Sequence, residues 1–216
     1  MTTRERILAE ALTLFSVKGY DPVSVRDIAY AVGIKESSLY NHFKNKQDIF
    51  DSIIDEYSQR WEAYFHQADL TGEDKQIVAD DRTVEMYKNM TPEKFADATG
   101  MVFDYYMTDE INVKLRKMLT IEQYRNDRLA QLFRKISFDD SIEFQTRLFE
   151  KMIAEGCFIE ADPQVMAMQF FSPIFLIFYK YDHDKESIRK GKELFRKHID
   201  QFNQVYGVEA QEETTK

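Results

Sequence analysis

The chain is 216 residues long, carries a formal net charge of −9 at pH 7 and is 44% hydrophobic, with only 7 Gly and 4 Pro. It is long enough for one sizeable domain or for a small one joined to a larger one, and its single cysteine, Cys157, excludes an internal disulfide and fits a reducing compartment. The acidic balance excludes broad attraction to nucleic acid, because basic groups supply most of the affinity for phosphate, so any such attraction has to be local.

Apolar residues recur at i, i+3, i+4 and i+7 nearly throughout and no run has the character of a strand, which predicts an all-α chain. The opening stretch MTTRERILAEALTLF is charged and amphipathic, without the unbroken apolar core of a signal peptide, and this favours a cytoplasmic protein. Within it Ile7, Leu8, Ala11, Leu12, Leu14 and Phe15 gather on one side of a first helix, which Gly19 stops. In YDPVSVRDIAYAVG, Ser24 offers an N-cap with Asp27 as its reciprocal partner, and Val25, Ile28, Ala29 and Val32 form one face of a short second helix before Gly33.

The segment KESSLYNHFKNK, residues 35–46, forms a third short helix. At 100° per residue Leu39 and Phe43 point inward together, while Ser37 and Asn41 point outward between Ser38 and Tyr40. Lys35 and His42 lie nearer the edge of that outer face, with Lys44 and Lys46 in the next turn. Small groups that both donate and accept hydrogen bonds suit base edges, whereas an ordinary solvated helix would show Glu, Lys and Gln. Three short helices with a glycine-containing turn between the second and third make a helix-turn-helix, whose last helix enters the major groove. Residues 1–48 hold seven Lys and Arg against six Asp and Glu, a balance of +1, which leaves −10 for the rest. A near-neutral head therefore precedes an acidic body that a polyanion would repel.

Residues 7–50 closely resemble the tetracycline-repressor (TetR) family of bacterial transcription regulators. The resemblance rests on Phe15-x3-Gly19-Tyr20, Ile28-Ala29, Gly33 and Leu39-Tyr40-x-His42-Phe43-x2-Lys46. It implies an all-α fold, with a helix-turn-helix domain at 1–47 and a helical ligand-binding and dimerisation domain at 48–207; the acidic end at 208–216 is expected to fray as a disordered tail. It also implies that Ser24 and Arg26 meet the DNA backbone or an adjacent base, that Glu36, Ser37, Ser38 and Asn41 meet base edges, and that Tyr40, His42 and Lys46 bind phosphates. Tyr40 can instead pack at the helix edge, and His42 can cap its own turn. Lys35 stands where many family members carry a Ser or Thr cap, and Glu36 sets a carboxylate close to DNA, where it favours the helix dipole or a cytosine amino group.

Beyond the head, a longer helix carries Phe50, Ile53, Ile54, Tyr57, Trp61 and Tyr64, and the polar segment 69–81 breaks the pattern as a loop or short-helix connection. Further helices are predicted at about 91–107, 109–136, 139–155, 162–181 and 185–206. An uncharged run of 17 residues lies between Asp162 and Lys180, but Gln169, Ser172 and Pro173 interrupt it and a membrane span needs about 20 apolar residues. The segment FFSPIFLIFYKY is apolar around much of its circumference, which predicts burial on two sides. In the family such a helix faces a ligand core on one side and a second subunit on the other. Ile174, Phe178, Gly191, Phe195, His198, Ile199 and Phe202 are the expected dimer seam, and Trp61, Phe65, Phe103, Tyr106, Tyr124, Phe149, Met152 and Phe175 the expected ligand pocket.

The four histidines, His42, His66, His183 and His198, have no metal-ligand spacing, and no nucleophile elbow, phosphate loop or paired-Cys motif is present. Neither a catalytic group nor a metal or cofactor is expected. The expected function is a homodimer that binds double-stranded operator DNA and is released by a small apolar or aromatic effector. The alternative is a DNA-binding dimer with no small-molecule ligand, its body serving dimerisation or a protein partner.

Overall fold

In a computed structural model, residues 1–67, 81–89 and 92–208 are described. The described helices are α1 (Thr3–Lys18), α2 (Val25–Val32), α3 (Glu36–Leu39), α4 (Lys46–Gln67), α5 (Asp81–Lys88), α6 (Pro92–Thr108), α7 (Glu110–Glu122), α8 (Asp127–Arg134), α9 (Asp140–Ala154), α10 (Pro163–Lys180) and α11 (Lys185–Tyr206). The chain is all-α: among the described residues the only β pairing is an isolated bridge between Phe158 and Gly207. Most of the segment 69–81 and nearly all of the expected acidic tail lie outside the described residues.

Caps set the helix ends where the sequence placed them. Ser24 accepts from the Asp27 N–H at 3.1 Å while the Asp27 carboxylate accepts from the Ser24 N–H at 2.8 Å, so two orphan donors of α2 are satisfied reciprocally. At the other end of α2, Gly33 takes φ +77° and the Ile34 N–H returns to the Ala29 carbonyl at 3.0 Å, a closure that only glycine adopts without strain. The helix expected over 109–136 is two helices, because Asn126 caps a new start by accepting from the Leu129 N–H at 3.2 Å. A π-helical turn, Lys135–Asp139, then joins α8 to α9. Helix α5 has no counterpart among the expected elements.

The chain divides into two units: Met1–Tyr64 with Glu110–Lys135, and Phe65–Asp109 with Ile136–Lys216. The helix-turn-helix expected at 1–47 thus sits within a larger unit. There α7 packs along α1 and buries Leu115, Met118 and Leu119, while Lys114 donates to the Thr13 hydroxyl at 2.8 Å. Arg128 pairs with Asp51 at 2.9 Å.

In the second unit α10 packs against α9 and α11, α11 against α6, and α5 against α9. One core cluster joins Val84, Leu148, Phe149, Phe158, Met166, Ala167 and Phe202. The other joins Phe103, Met107, Ile174, Ile177, Phe178, Phe195 and Ile199, and Phe170 packs against both.

Candidate nucleic-acid interface

The head is built on a shell whose polar groups hold one another. Arg6 donates to the Val32 carbonyl, and Arg4 pairs with Glu56 at 3.3 Å while lying over the Phe43 ring. Tyr20 packs against Phe15 and Phe50 with ring centroids 5.3 and 5.2 Å away, and its hydroxyl donates to Gln47 at 3.0 Å. Burial first, then the Asp51 and Asp21 charges, pushes the Tyr20 phenol above its ordinary pKa, so it stays a neutral donor. Leu39 and Phe43 are buried beneath the recognition segment, as their spacing requires.

On that base stands a face of a different kind. Helix α3 is a single turn, and the chain continues from it through further turns, with the His42 N–H on the Leu39 carbonyl at 2.9 Å and the Phe43 N–H on the same carbonyl at 3.1 Å. The side chains of Arg26, Lys35, Glu36, Ser37, Tyr40, Asn41 and His42 are exposed and Ser38 is half-buried. Among the described residues none of these eight side chains makes a hydrogen bond or an ion pair. Their donors and acceptors are therefore uncommitted, on a backbone fixed from below.

Two expected contacts are otherwise engaged. The Ser24 hydroxyl lies 2.5 Å from the Asp27 carboxylate, and this bond, with that from the Ser24 N–H, holds the Asp27 carboxyl below its ordinary pKa. Lys46 donates to the Tyr20 carbonyl at 2.9 Å and to the Asp21 carbonyl at 3.2 Å, with its ammonium 4.2 Å from the centre of the Tyr20 ring. Lys35 caps α3 by position only, since its side chain makes no capping bond. Tyr30, 87% exposed one turn beyond Arg26 on α2, was not among the expected contacts, although its four-residue spacing from Arg26 was the signal for it.

Among the described residues, those expected to form a pocket fall in different clusters. Phe103 and Tyr106 belong to one core cluster, Phe149 and Met152 to the other, and Phe175 packs with Phe138 and Tyr179. Tyr124 is 89% exposed and lies in the first unit between α7 and α8. The side chains of Trp61 and Phe65 lie outside the described ones.

The expected dimer seam turns inward as well. Ile174, Phe178, Phe195, Ile199 and Phe202 are buried within the chain's own clusters. A Cβ on Gly191 would stand 2.9 Å from Tyr181 Cβ, so this glycine lets α11 approach the end of α10 in its own chain. His198 is hydrogen-bonded to the Phe170 carbonyl at 2.7 Å. The exposed side of α10 carries Val165, Met168, Ser172 and Leu176, and that of α11 carries Leu194 and Val205. An apolar period marks a buried side and does not say whose chain covers it.

An exposed polar face on the second helix of a helix-turn-helix is the arrangement of a DNA-binding domain of that class. Residues 7–53 match the family described as bacterial regulatory proteins, tetR family. Over 51 residues it is 45% identical to IcaR of Staphylococcus aureus (strain Newman), the negative transcriptional regulator of a biofilm operon. That segment covers 24% of this chain and 27% of IcaR, so the chain spans about a quarter of the length of the curated relatives it matches. The whole fold is similar to that of a TetR-family regulator from Mesorhizobium loti, with a TM-score of 0.66 at 19% identity over 95% of this chain and 97% of that one. It is also similar to SmeT, the repressor of the Stenotrophomonas maltophilia multidrug efflux pump SmeDEF, at a TM-score of 0.61 and 19% identity over 96% and 91%. The SmeT complex with triclosan gives 0.63 at 20% identity over 96% and 92%. Among the described residues no helix is long and apolar enough to cross a membrane.

Proposed function

We propose that this chain is a homodimeric transcription regulator that binds double-stranded operator DNA through α2, α3 and the turns after α3, and that it acts as a repressor. The observation that carries the reading is the uncommitted face formed by Arg26, Lys35, Glu36, Ser37, Tyr40, Asn41 and His42 above a fully engaged shell. Asn41 and Ser37 supply paired donors and acceptors to base edges, and Arg26, Tyr40 and His42 meet the backbone. Lys46 acts from behind this face by holding the turn before α2. The second copy covers the stripe of Val165, Met168 and Leu176 on α10 with Leu194 and Val205 on α11, and sets two heads about 34 Å apart on successive major grooves.

The similarity to SmeT, whose complex holds triclosan, supports a small-molecule effector for this chain too. The aromatic interior of the second unit supports the alternative of a ligand-free dimer, because Phe149, Phe158, Phe170 and Phe202 contact one another at centroid distances of 4.9–6.0 Å. A test begins with selection of duplexes from a randomised library by the purified protein. Enrichment of a palindromic sequence bound by a dimer supports the reading, and enrichment of nothing sinks it. A thermal-shift screen against drug-like aromatic compounds then separates the two versions, since a ligand of the folded state raises its melting temperature.

A further inference from the structure

Helix α7 ends on Glu122, and the placement breaks two local rules. A carboxylate in the last turn faces the negative end of the helix dipole, and this one is only 1% exposed. The partners that offset those costs come from the head and from the turn after α7. The Tyr20 N–H donates to Glu122 Oε1 at 2.8 Å, and Arg125 Nη1 stands 3.9 Å from the same oxygen. Tyr20 follows Gly19, the C-cap of α1, whose φ is +84°. A Cβ on Gly19 would lie 2.5 Å from Glu122 Oε1, so the glycine is required by the approaching carboxylate as well as by its own backbone. The other end of the Tyr20 residue is held too, its carbonyl accepting from Lys46 at the start of α4. One turn, between α1 and α2, is thus clamped at its N–H by α7 and at its C=O by α4.

We propose that Glu122 is a positioning residue for DNA recognition: by holding the Tyr20 amide it fixes the turn from which α2 and α3 project, and so couples the position of α7 to the presentation of the polar face. The inference rests on the DNA-binding reading and adds a control point for that same face. It differs from plain structural support because the bond acts on the geometry of the head and leaves the apolar packing of α7 on α1 to Leu115, Met118 and Leu119.

The experiment compares Glu122→Gln, whose side-chain carbonyl keeps an acceptor, with Glu122→Leu, which removes it at similar volume. Both are measured by thermal melting and by anisotropy on the duplex selected by the wild type and on a random duplex, well below the melting temperature. Glu122→Gln is expected to stay within about threefold of wild type on the selected duplex. Folded Glu122→Leu is expected to lose tenfold or more there and less than about threefold on random DNA, whose affinity follows phosphate charge. A folded Glu122→Leu protein with wild-type affinity for the selected duplex overturns the proposal, as does a Gln variant that loses as much as the Leu variant. Should Glu122→Leu fail to fold, amide hydrogen exchange of wild-type Tyr20 decides: protection like that of Phe15 supports the clamp, and exchange at the rate of an exposed loop overturns it. A wild type that selects no duplex sinks the functional reading itself, while exchange at Tyr20 still judges the clamp.

Discussion

The recognition face of the head and the aromatic interior of the second unit are both crowded with residues that the sequence marks as functional, and the two turn out differently. On the head, Glu36, Ser37, Tyr40, Asn41 and His42 are exposed and uncommitted over buried Leu39 and Phe43. In the second unit Phe149 and Phe202 are buried in one cluster and Phe103, Phe178 and Phe195 in another. A short amphipathic segment has only one way to bury Leu39 and Phe43, and its polar face follows. A helix such as α10, apolar around most of its circumference, has several sides to cover, and its period cannot assign them to core, cavity or partner. Polar residues announce their exposure, whereas aromatic residues announce only that something covers them.

The largest effect should come from a charge placed inside the second unit. Phe195→Asp puts a carboxylate among Phe103, Ile177 and Phe178 with no partner, at an expected cost of at least about 3 kcal/mol. Far-UV circular dichroism should show loss of cooperative melting, and with it loss of all DNA binding. The neighbouring change Leu194→Asp falls on an exposed position of α11 and should leave the helical signal intact while shifting the sedimenting species from dimer to monomer. A Leu194→Asp protein that stays dimeric in analytical ultracentrifugation would move the interface away from this stripe; a well-folded Phe195→Asp protein would show that the cluster is not the core.

Next in size are changes on the head that leave stability alone. Asn41 is exposed and makes no bond within the chain, so Asn41→Ala should melt within about 0.5 kcal/mol of wild type. Its affinity for the selected duplex should fall by about 1–3 kcal/mol, with little change on random DNA. Lys46→Ala should behave in the opposite sense, since it removes two bonds to the Tyr20 and Asp21 carbonyls and a cation over the Tyr20 ring. It should lower the melting temperature and weaken binding to both DNAs, while changing the salt dependence less than removal of a direct phosphate contact would. A salt slope reduced by about one unit would return Lys46 to the backbone-binding set.

What the sequence made legible was local. Ser24 and Asp27, Gly33, and the inward pair Leu39 and Phe43 are fixed by groups within four residues of one another, and the bounds of α11 coincide with the predicted 185–206. The clamp of Glu122 on Tyr20 spans 102 positions, and no period or motif connects them. Asn126 divides the predicted helix at 109–136 through a single capping bond, a signal that an apolar period running on both sides of it conceals. Ile174, Phe178, Phe195 and Phe202 follow a period that marks a buried side, and within this chain that side packs into its own clusters, a partner the period alone does not name.

The smallest effect expected concerns the cap of α2, and it tests whether the head's shell is as fully engaged as its recognition face is free. Ser24→Ala removes an N-cap acceptor and should cost about 1 kcal/mol at neutral pH. The same bonds connect it to acid stability. The Ser24 hydroxyl and N–H hold the Asp27 carboxyl below its ordinary pKa, so the contribution is present above the unfolded value of 3.8 and is lost as the pH falls through the lower folded value. In wild type, stability should therefore decline on this account as the pH drops below about 4, when the unfolded chain takes up the proton first. Ser24→Ala has already lost the interaction that lowers the pKa, so its acid-side slope should be shallower, and the two melting curves should approach each other toward pH 3. Parallel curves from pH 7 to pH 3 would show that Ser24 stabilises α2 without acting through Asp27. Because Asp27 is exposed, added salt should shrink its smaller coulombic contribution from Lys18 and Arg26 and leave the hydrogen bonds from Ser24, which are the larger causes. A gap between the two proteins that closed in high salt at pH 7 would contradict that order and make the cap an electrostatic one.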